Sequence, residues 1–518
     1  MFVVCPGARS STLAAALDGG ADVAWHYDER GGAFFALGAA KASGHPSVVV
    51  TTSGSAVANL HPATVEALHS EIPLLLLTAD RPPELLGTGA NQTIDQRGIF
   101  GPSVRWWGSL PCPDDGLEWE AARAMVQTAW KASMLGPVQI NCPFREPLVG
   151  LRSAGPLLVQ ALEAPTTEED MKVEVPGVER GLLVVGQLSP KEQAGAESIR
   201  AWARRAGWPV FADALSGVAP GGPVIAHPDF LLGTGSWPAP QAVVHLGGAV
   251  VSKRIASCVA QAPPSACIHI ARSRIHRDPL LRGIRQAWCD PIGFCSGEAP
   301  PTAAESWLPE WEKAGNRAMA HLDRALADEA EINEPQVART VAKALPEGAA
   351  LMIGNSMPIR DFDTFARWRG GGRRIFGSRG ASGIDGNIAT AAGIARTSGR
   401  PMLLLLGDLA YLHDQSSLPL AARERLVIVV VNNGGGGIFH FLPLPVPSLN
   451  PLWETPQQVD LLAVAAAHGI RTATAGTTRE LAENLGRAFE SQEATVIEVR
   501  VPIDANPLVH RRLRESFA

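Results

Sequence analysis

Cysteines are few in this sequence and none are spaced as a pair. There are seven in 518 residues, an odd number, with no CxxC motif. Cys5, Cys112, Cys142, Cys258, Cys267, Cys289 and Cys295 thus suggest neither a disulfide framework nor a zinc site. Reduced thiols in a cytoplasmic protein are the plain reading. Long apolar runs are missing as well: none approaches the ~20 residues of a membrane span, and no charged-then-apolar leader opens the chain. Charged residues make up only 19%, and the net charge of −6 is spread without long like-charge runs. That excludes an obvious nucleic-acid surface or polybasic membrane patch. Positive charge for an anionic ligand must therefore be local, in a pocket. The chain begins almost directly on the strand-like MFVVCPG, which reads as a late start with a preceding helix missing.

What is present is an ordinary globular balance, with 46% hydrophobic residues. At about 100–200 residues per domain, the length predicts two to four domains. Short apolar runs recur: SVVVTTSG from Ser47, PLLLLTAD from Pro73, PVQINCP from Pro137, GLLVVGQ from Gly181, PVFADAL from Pro209, AVVHLGG from Ala242 and CIHIARS from Cys267. ALMIGNS from Ala349, RIFGSRG from Arg374, MLLLLGD from Met402, LVIVVVNN from Leu426 and TVIEVRV from Thr495 complete the set. Runs of this kind fit strands buried on both faces, hence parallel sheets covered by helices. Helix-like stretches, such as Glu29 to Ser43 and Ala381 to Ser398, lie between them. The pattern predicts an α/β chain of doubly wound parallel sheets. Two linker-like stretches, Glu163 to Gly177 and Gly297 to Trp311, divide it into residues 1–165, 166–300 and 301–518.

In open α/β sheets, ligands bind beyond the carboxyl ends of strands, and the unusual residues lie there. MLLLLGD ends on Gly407 and Asp408; LVIVVVNNGGGG ends on Asn432, Asn433 and a glycine run. Singly, each reads as a turn-forming loop. Together, a carboxylate, an amide and backbone carbonyls make an all-oxygen set of the kind magnesium accepts. With 24 residues (409 to 432) between Asp408 and Asn433, the pair resembles the GDG…NN signature of thiamine-diphosphate enzymes. Leu409 stands where many members have glycine.

The resemblance narrows at CPGARS, SGSAVANL, LLTADRPPELLGTGANQTIDQ, GNSMPIRDFD, SRGASGIDG, GDLAYLHD and NNGGGGIFHFLP. These ordered blocks resemble the 2-succinyl-5-enolpyruvyl-6-hydroxy-3-cyclohexene-1-carboxylate (SEPHCHC) synthase family of menaquinone biosynthesis. The resemblance implies pyrimidine-binding, middle and diphosphate-binding domains, in that order. It implies a transferase that decarboxylates 2-oxoglutarate and adds the succinyl unit to isochorismate in a 1,4 fashion. It also implies thiamine diphosphate with magnesium or manganese, and a homodimer or homotetramer with shared active sites.

Carried over residue by residue, the resemblance makes Glu29 the partner of the aminopyrimidine ring, although alone it reads as a favourable acid at a helix start. Gly407, Asp408 and Leu409 border the cofactor, with Asn433, Ile438 and Phe439 across from them. Asp408, Asn433 and Gly435 hold the metal. Ile384 is the wedge that bends the cofactor, a role compatible with core packing. Gln92 lies near the reacting centre. Two dicarboxylate substrates call for cations, arginine above all for its bidentate fork. Arg9, Arg81, Arg360 and Arg379 match, with Lys253 from the middle domain, Ser356, and Leu442 on an apolar wall. A lone arginine of this kind would read as a surface or loop-pinning residue. Ala8 stands where relatives often carry serine. His26 reads as a possible neighbour of the site; His413 and His440 read as structural. Two other readings share some of these features: an acetolactate-synthase-like carboligase, and a non-catalytic binding member of the fold. The first usually carries FAD in its middle domain, and residues 166–300 show no dinucleotide fingerprint.

Overall fold

The computed structural model describes residues 1–17, 21–113, 119–148, 173–273, 277–279, 281–300, 303–327, 331–442 and 450–517. The expected linker from Glu163 lies outside the described residues as far as 172. The second linker region runs into a helix, Trp307–Ala327.

Three parallel sheets carry the fold. The first has β1 (Phe2–Val4), β2 (Val23–Trp25), β3 (Ser47–Thr51), β4 (Leu74–Asp80), β5 (Trp106–Ser109) and β6 (Pro137–Pro143), in the order β2-β1-β3-β4-β6-β5. The second has β7 (Gly181–Val185), β8 (Val210–Ala212), β9 (Ala242–Leu246), β10 (Cys267–Ile270) and β11 (Arg285–Ala287), ordered β11-β10-β9-β7-β8. The third has β12 (Ala350–Ile353), β13 (Arg374–Gly377), β14 (Met402–Gly407), β15 (Val427–Asn432), β16 (Arg471–Thr474) and β17 (Thr495–Arg500), ordered β13-β12-β14-β15-β17-β16. The first and third sheets therefore repeat one topology. Their central strands are buried along their length, β3 and β12 at every residue. That is why their sequences run apolar without alternation.

The chain forms two compact units. One gathers the first sheet with Ser378–Arg400 and Ala410–Leu426; the other holds the second and third sheets. In the first unit, the helix Glu29–Ser43 is buried from Gly31 to Lys41. Its amino end is capped by the Asp28 carboxylate, which accepts from the amides of Arg30 (3.0 Å) and Gly31 (3.5 Å). It lies against the helix Asn387–Ser398 closely enough for backbones to touch. A Cβ on Gly38 would sit 2.0 Å from the Thr390 carbonyl oxygen, and one on Gly393 would sit 1.9 Å from that of Phe35. This second helix begins six residues later than its sequence pattern predicts, at Asn387 rather than Ala381. Ser382 (φ 60°) and Gly386 (φ 63°) take left-handed conformations that break the helical path, and residues 381–386 form a loop instead.

In the second unit, the helix Met357–Phe365 serves two cores at once. Phe362 is buried with the third sheet and Phe365 with the second. Among the described residues, no helix is long and apolar enough to cross a membrane.

Candidate cofactor and metal site

β14 and β15 are neighbours in register, with Gly407 beside Val431, so the loops that follow them meet. The Asp408 side chain is buried. Its Oδ1 accepts from the Leu409 amide at 2.7 Å, while Oδ2 is buried without a directed hydrogen bond. Burial pushes its pKa up to about 6, against the pull of the Leu409, Gly434 and Gly435 amides that face it. Across the gap, Asn433 Oδ1 accepts from the Gly435 amide (3.3 Å) and Nδ2 donates to Glu334 Oε1 (3.2 Å). The Gly435 carbonyl accepts from the Gly437 amide at 3.1 Å and keeps a second lone pair. The glycines are required here. A Cβ on Gly435 would meet the Glu454 carbonyl oxygen at 2.3 Å, and one on Gly437 would meet Asn433 Nδ2 at 2.5 Å. An orphaned, buried carboxylate oxygen beside an amide and a carbonyl is the donor set a hard divalent cation accepts, with waters and phosphate oxygens completing its octahedron. Among the described residues, no three His, Cys, Asp or Glu side chains gather as a metal site, so a cation here would lean on amide and carbonyl oxygens.

A short 3₁₀ turn, Gly437–Phe441, follows the loop. It carries Ile438 and Phe439, the latter 5.8 Å from the Trp453 ring. Leu442, just beyond, is 53% exposed. His440 Nε2 lies 3.0 Å from Glu454 Oε1, without the geometry of a directed hydrogen bond.

Behind Asn433 lies a buried polar chain that has no motif in the sequence. Asn506 Nδ2 donates both to Glu334 Oε2 and to Asp361 Oδ2, the latter at 2.9 Å. His510 Nε2 lies 2.6 Å from Asp361 Oδ1, and Arg514 reaches His510 Nδ1 at 3.4 Å. Burial, then the neighbouring Asp361, pushes Glu334 well above the usual carboxylate range; burial pushes Asp361 to about 7 and lowers His510 to about 3. The imidazole is thus neutral, donating through Nε2 and accepting through Nδ1. Only Asp361 sits in a recognised sequence block, one residue after Arg360. Glu334 is preceded by a capping asparagine, Asn333, which marks a helix start and nothing more.

The same unit carries Ser356, Arg360 and Lys253. Ser356 occupies the position before the helix Met357–Phe365 with φ 72° and no side-chain cap, and the Arg360 guanidinium bonds its carbonyl. Lys253 is exposed at the first position of the helix Lys253–Val259. That helix is anchored by Ser252, whose hydroxyl donates to the buried Asp229 carboxylate (2.6 Å).

In the first unit, three blocks converge at the carboxyl ends of β1, β3 and β4. Arg81 bonds the Ser53 hydroxyl, which in turn donates to the Gln92 carbonyl at 3.0 Å. Gln92 Nε2 donates back to the Ser53 carbonyl (3.0 Å). Gln92 has φ 59°, a strained conformation that tends to mark functional sites. Arg9 is buried, donating to the Phe144 carbonyl (2.9 Å) and to Glu146 (3.3 Å). Burial and then the Arg9 charge lower the pKa of Arg81, so these two cations feel each other. The sequence-predicted Arg9, Arg81 and Gln92 are thus brought together.

Glu29 opens its helix half-buried, with Oε2 accepting from Asn59 at 3.5 Å. In the loop from Arg379 to Ile384, the Gly380 (3.1 Å) and Ala381 (2.6 Å) amides are fixed by Glu66. The Ile384 carbonyl accepts from Asn387 at 2.6 Å. His26 is fully buried beneath Gly31, and burial lowers its pKa to about 4. His413 holds Arg30, at 2.8 Å through its carbonyl.

Comparison with known proteins finds relatives along the whole chain. Residues 1–99 match the thiamine pyrophosphate (diphosphate) enzyme N-terminal TPP binding domain, 151–353 the middle domain, and 361–499 the C-terminal TPP binding domain. Curated SEPHCHC synthases are similar from end to end. That of Rubrobacter xylanophilus is 40% identical, covering 100% of this chain and 95% of its own length. Those of Chloroflexus aurantiacus and Salinibacter ruber are each 37% identical over 99% of this chain, covering 92% and 93% of theirs. The chain belongs to the SEPHCHC synthase family of thiamine-diphosphate enzymes.

Proposed function

We propose that this protein decarboxylates 2-oxoglutarate and transfers the remaining succinyl unit to isochorismate by 1,4-addition, forming SEPHCHC in the cytoplasm. The observation that carries the reading is the pairing of Asp408 and Asn433 at adjacent strand ends, in a chain similar to SEPHCHC synthases over its whole length. When bound, thiamine diphosphate supplies the electron sink for decarboxylation. The chain's own residues do the rest. Asp408, Asn433 and the Gly435 carbonyl hold magnesium or manganese. Gly407, Leu409, Ile438 and Phe439 would border the cofactor, with Ile384 as an apolar contact to it. Glu29 would hydrogen-bond the aminopyrimidine ring and hold the proton shared with its ring nitrogen. The site is shared between two copies in a homodimer or homotetramer. Arg9, Arg81, Arg360, Arg379 and Lys253 answer the carboxylates of the two substrates, with Ser356 and Gln92 orienting them and Leu442 on the apolar side. The charge of Arg9 acts on Arg81 at the carboxyl ends of β1 and β4, which supports this, since a bound anion would relieve that repulsion.

The test is to supply purified protein, thiamine diphosphate and magnesium with isochorismate and either 2-oxoglutarate or pyruvate. Product is expected only with 2-oxoglutarate. Turnover of pyruvate in its place would instead indicate an acetolactate-synthase-like carboligase.

A further inference from the structure

Asn433 can serve a cation only through its oxygen, yet an amide can flip and present nitrogen at almost the same shape. Something must fix it. Its Nδ2 donates to Glu334 Oε1 at 3.2 Å, and its Oδ1 accepts from the Gly435 amide at 3.3 Å. The same Gly435 amide also pulls on the Asp408 carboxyl, so Asn433 Oδ1 and that carboxyl share one backbone N–H as neighbour.

Glu334 is itself held. It is only 6% exposed, and its second oxygen accepts from Asn506. The other hydrogen of that amide goes to Asp361 at 2.9 Å, and Asp361 is held in turn by His510 at 2.6 Å. Asn506 donates to both carboxyls and His510 lies on Asp361. Glu334 and Asp361 also hydrogen-bond each other, which engages the acid hydrogen on the Asp361 side and leaves Glu334 Oε1 to accept from Asn433. A flipped Asn433 would set its oxygen against the Glu334 carboxyl and break the chain at its last link. Asn506 Oδ1 and Arg514 Nε have no partner, yet every link from His510 to Asn433 is made, and groups one bond behind a ligand tune its orientation and basicity.

We propose that Glu334 is a positioning residue for the divalent cation: its carboxyl, backed by Asn506 and Asp361, locks the Asn433 amide with nitrogen inward and oxygen toward the Asp408 side. This rests on the reading of Asp408 and Asn433 as cation ligands.

The experiment measures free Mn2+ by electron paramagnetic resonance in titrations of the full-length protein with thiamine diphosphate present, with no turnover required. Glu334→Gln removes the fixed acceptor, and Mn2+ binding is expected to weaken about 10-fold or more, the usual effect of losing a ligand's partner. Melting of the metal-free protein is recorded alongside. The discriminating variant is the double Asn433→Asp with Glu334→Gln. A carboxylate ligand has no wrong end, and the glutamine can donate to it, so binding is expected to return to within about threefold of wild type.

Unchanged Mn2+ affinity in Glu334→Gln would overturn the proposal, as would a double variant as weak as the single one. Should Glu334→Gln fail to fold, the double variant alone decides by the same threshold. Asp408→Ala separates the two levels of the argument. If it binds Mn2+ as wild type does, the cation site itself is wrong and the inference falls with it. If it loses Mn2+ while Glu334→Gln does not, only the positioning role falls.

Discussion

Asp408 keeps one carboxylate oxygen buried and unbonded, an arrangement that is costly unless something joins it. Its pKa, raised to about 6 from the ordinary 3.8, records that cost. In the folded, metal-free protein the neutral acid persists up to about pH 6. The stabilising contribution is full below pH 3.8 and is lost as pH rises through 6. By pH 7 the ionised group should cost about 2–3 kcal/mol relative to the unfolded chain. Asp408→Asn removes this term, so the stability gap between variant and wild type, read from urea melts without metal, should shift in the variant's favour from pH 4 to pH 7. A cation reverses the sign, because it binds the ionised form. Its affinity should be flat above pH 6 and fall by about tenfold per unit below it, measurable by Mn2+ titration. Asp408 and Asn433 were legible in the sequence because a strand end, a carboxylate and a glycine run leave a local pattern. Glu334, Asn506 and His510 were not. They converge on Asn433 from distant segments, and spacing along the chain holds no trace of that meeting.

At the scale of elements, glycine shows how the same substitution changes sign with its surroundings. Replacing glycine by alanine within a helix gains about 1 kcal/mol of intrinsic propensity. At Gly486, in the helix Thr478–Ser491, an added Cβ meets nothing within 4 Å. Gly486→Ala should therefore stabilise by about 0.5–1 kcal/mol. At Gly38 the same Cβ would lie 2.0 Å from a backbone oxygen of the facing helix, and backbone yields poorly. Overpacking costs typically about 1–3 kcal/mol, more than the propensity gain, so Gly38→Ala should lower stability. Paired thermal melts of the two variants check the opposite signs.

The strands divide in a similar way. Every interior strand was readable as an apolar run, whereas β2, β5, β11 and β16 were not. All four are sheet edges, and none is wholly buried: β16 reads RTAT with three of its four residues exposed. An edge strand borrows its place from a neighbour's hydrogen bonds, so its own residues need not announce it.

On the scale of the whole molecule, two sheets with one strand order carry their distinctive residues on equivalent loops. Glu29 follows the second strand of the first sheet, and the loop with Ile384 follows the corresponding strand of the third. The apolar runs made both sheets legible, but a sequence cannot say which copy of the chain completes which site. The proposed sharing between two copies has a consequence that separates it from a self-contained chain. Glu29→Gln should abolish product formation while leaving cofactor binding, and Asp408→Ala should abolish it by loss of the cation. Let the two inactive proteins be dissociated, mixed in equal amounts and reassociated. In a closed two-fold dimer with shared sites, each mixed dimer places both defects in one site and leaves the other intact. Random pairing makes half of the dimers mixed, and half of their sites whole, so about a quarter of wild-type activity should return. If each chain instead built its site alone, every site would carry a defect and mixing would restore nothing. Activity after mixing, compared with each variant carried through the same procedure alone, decides between the two.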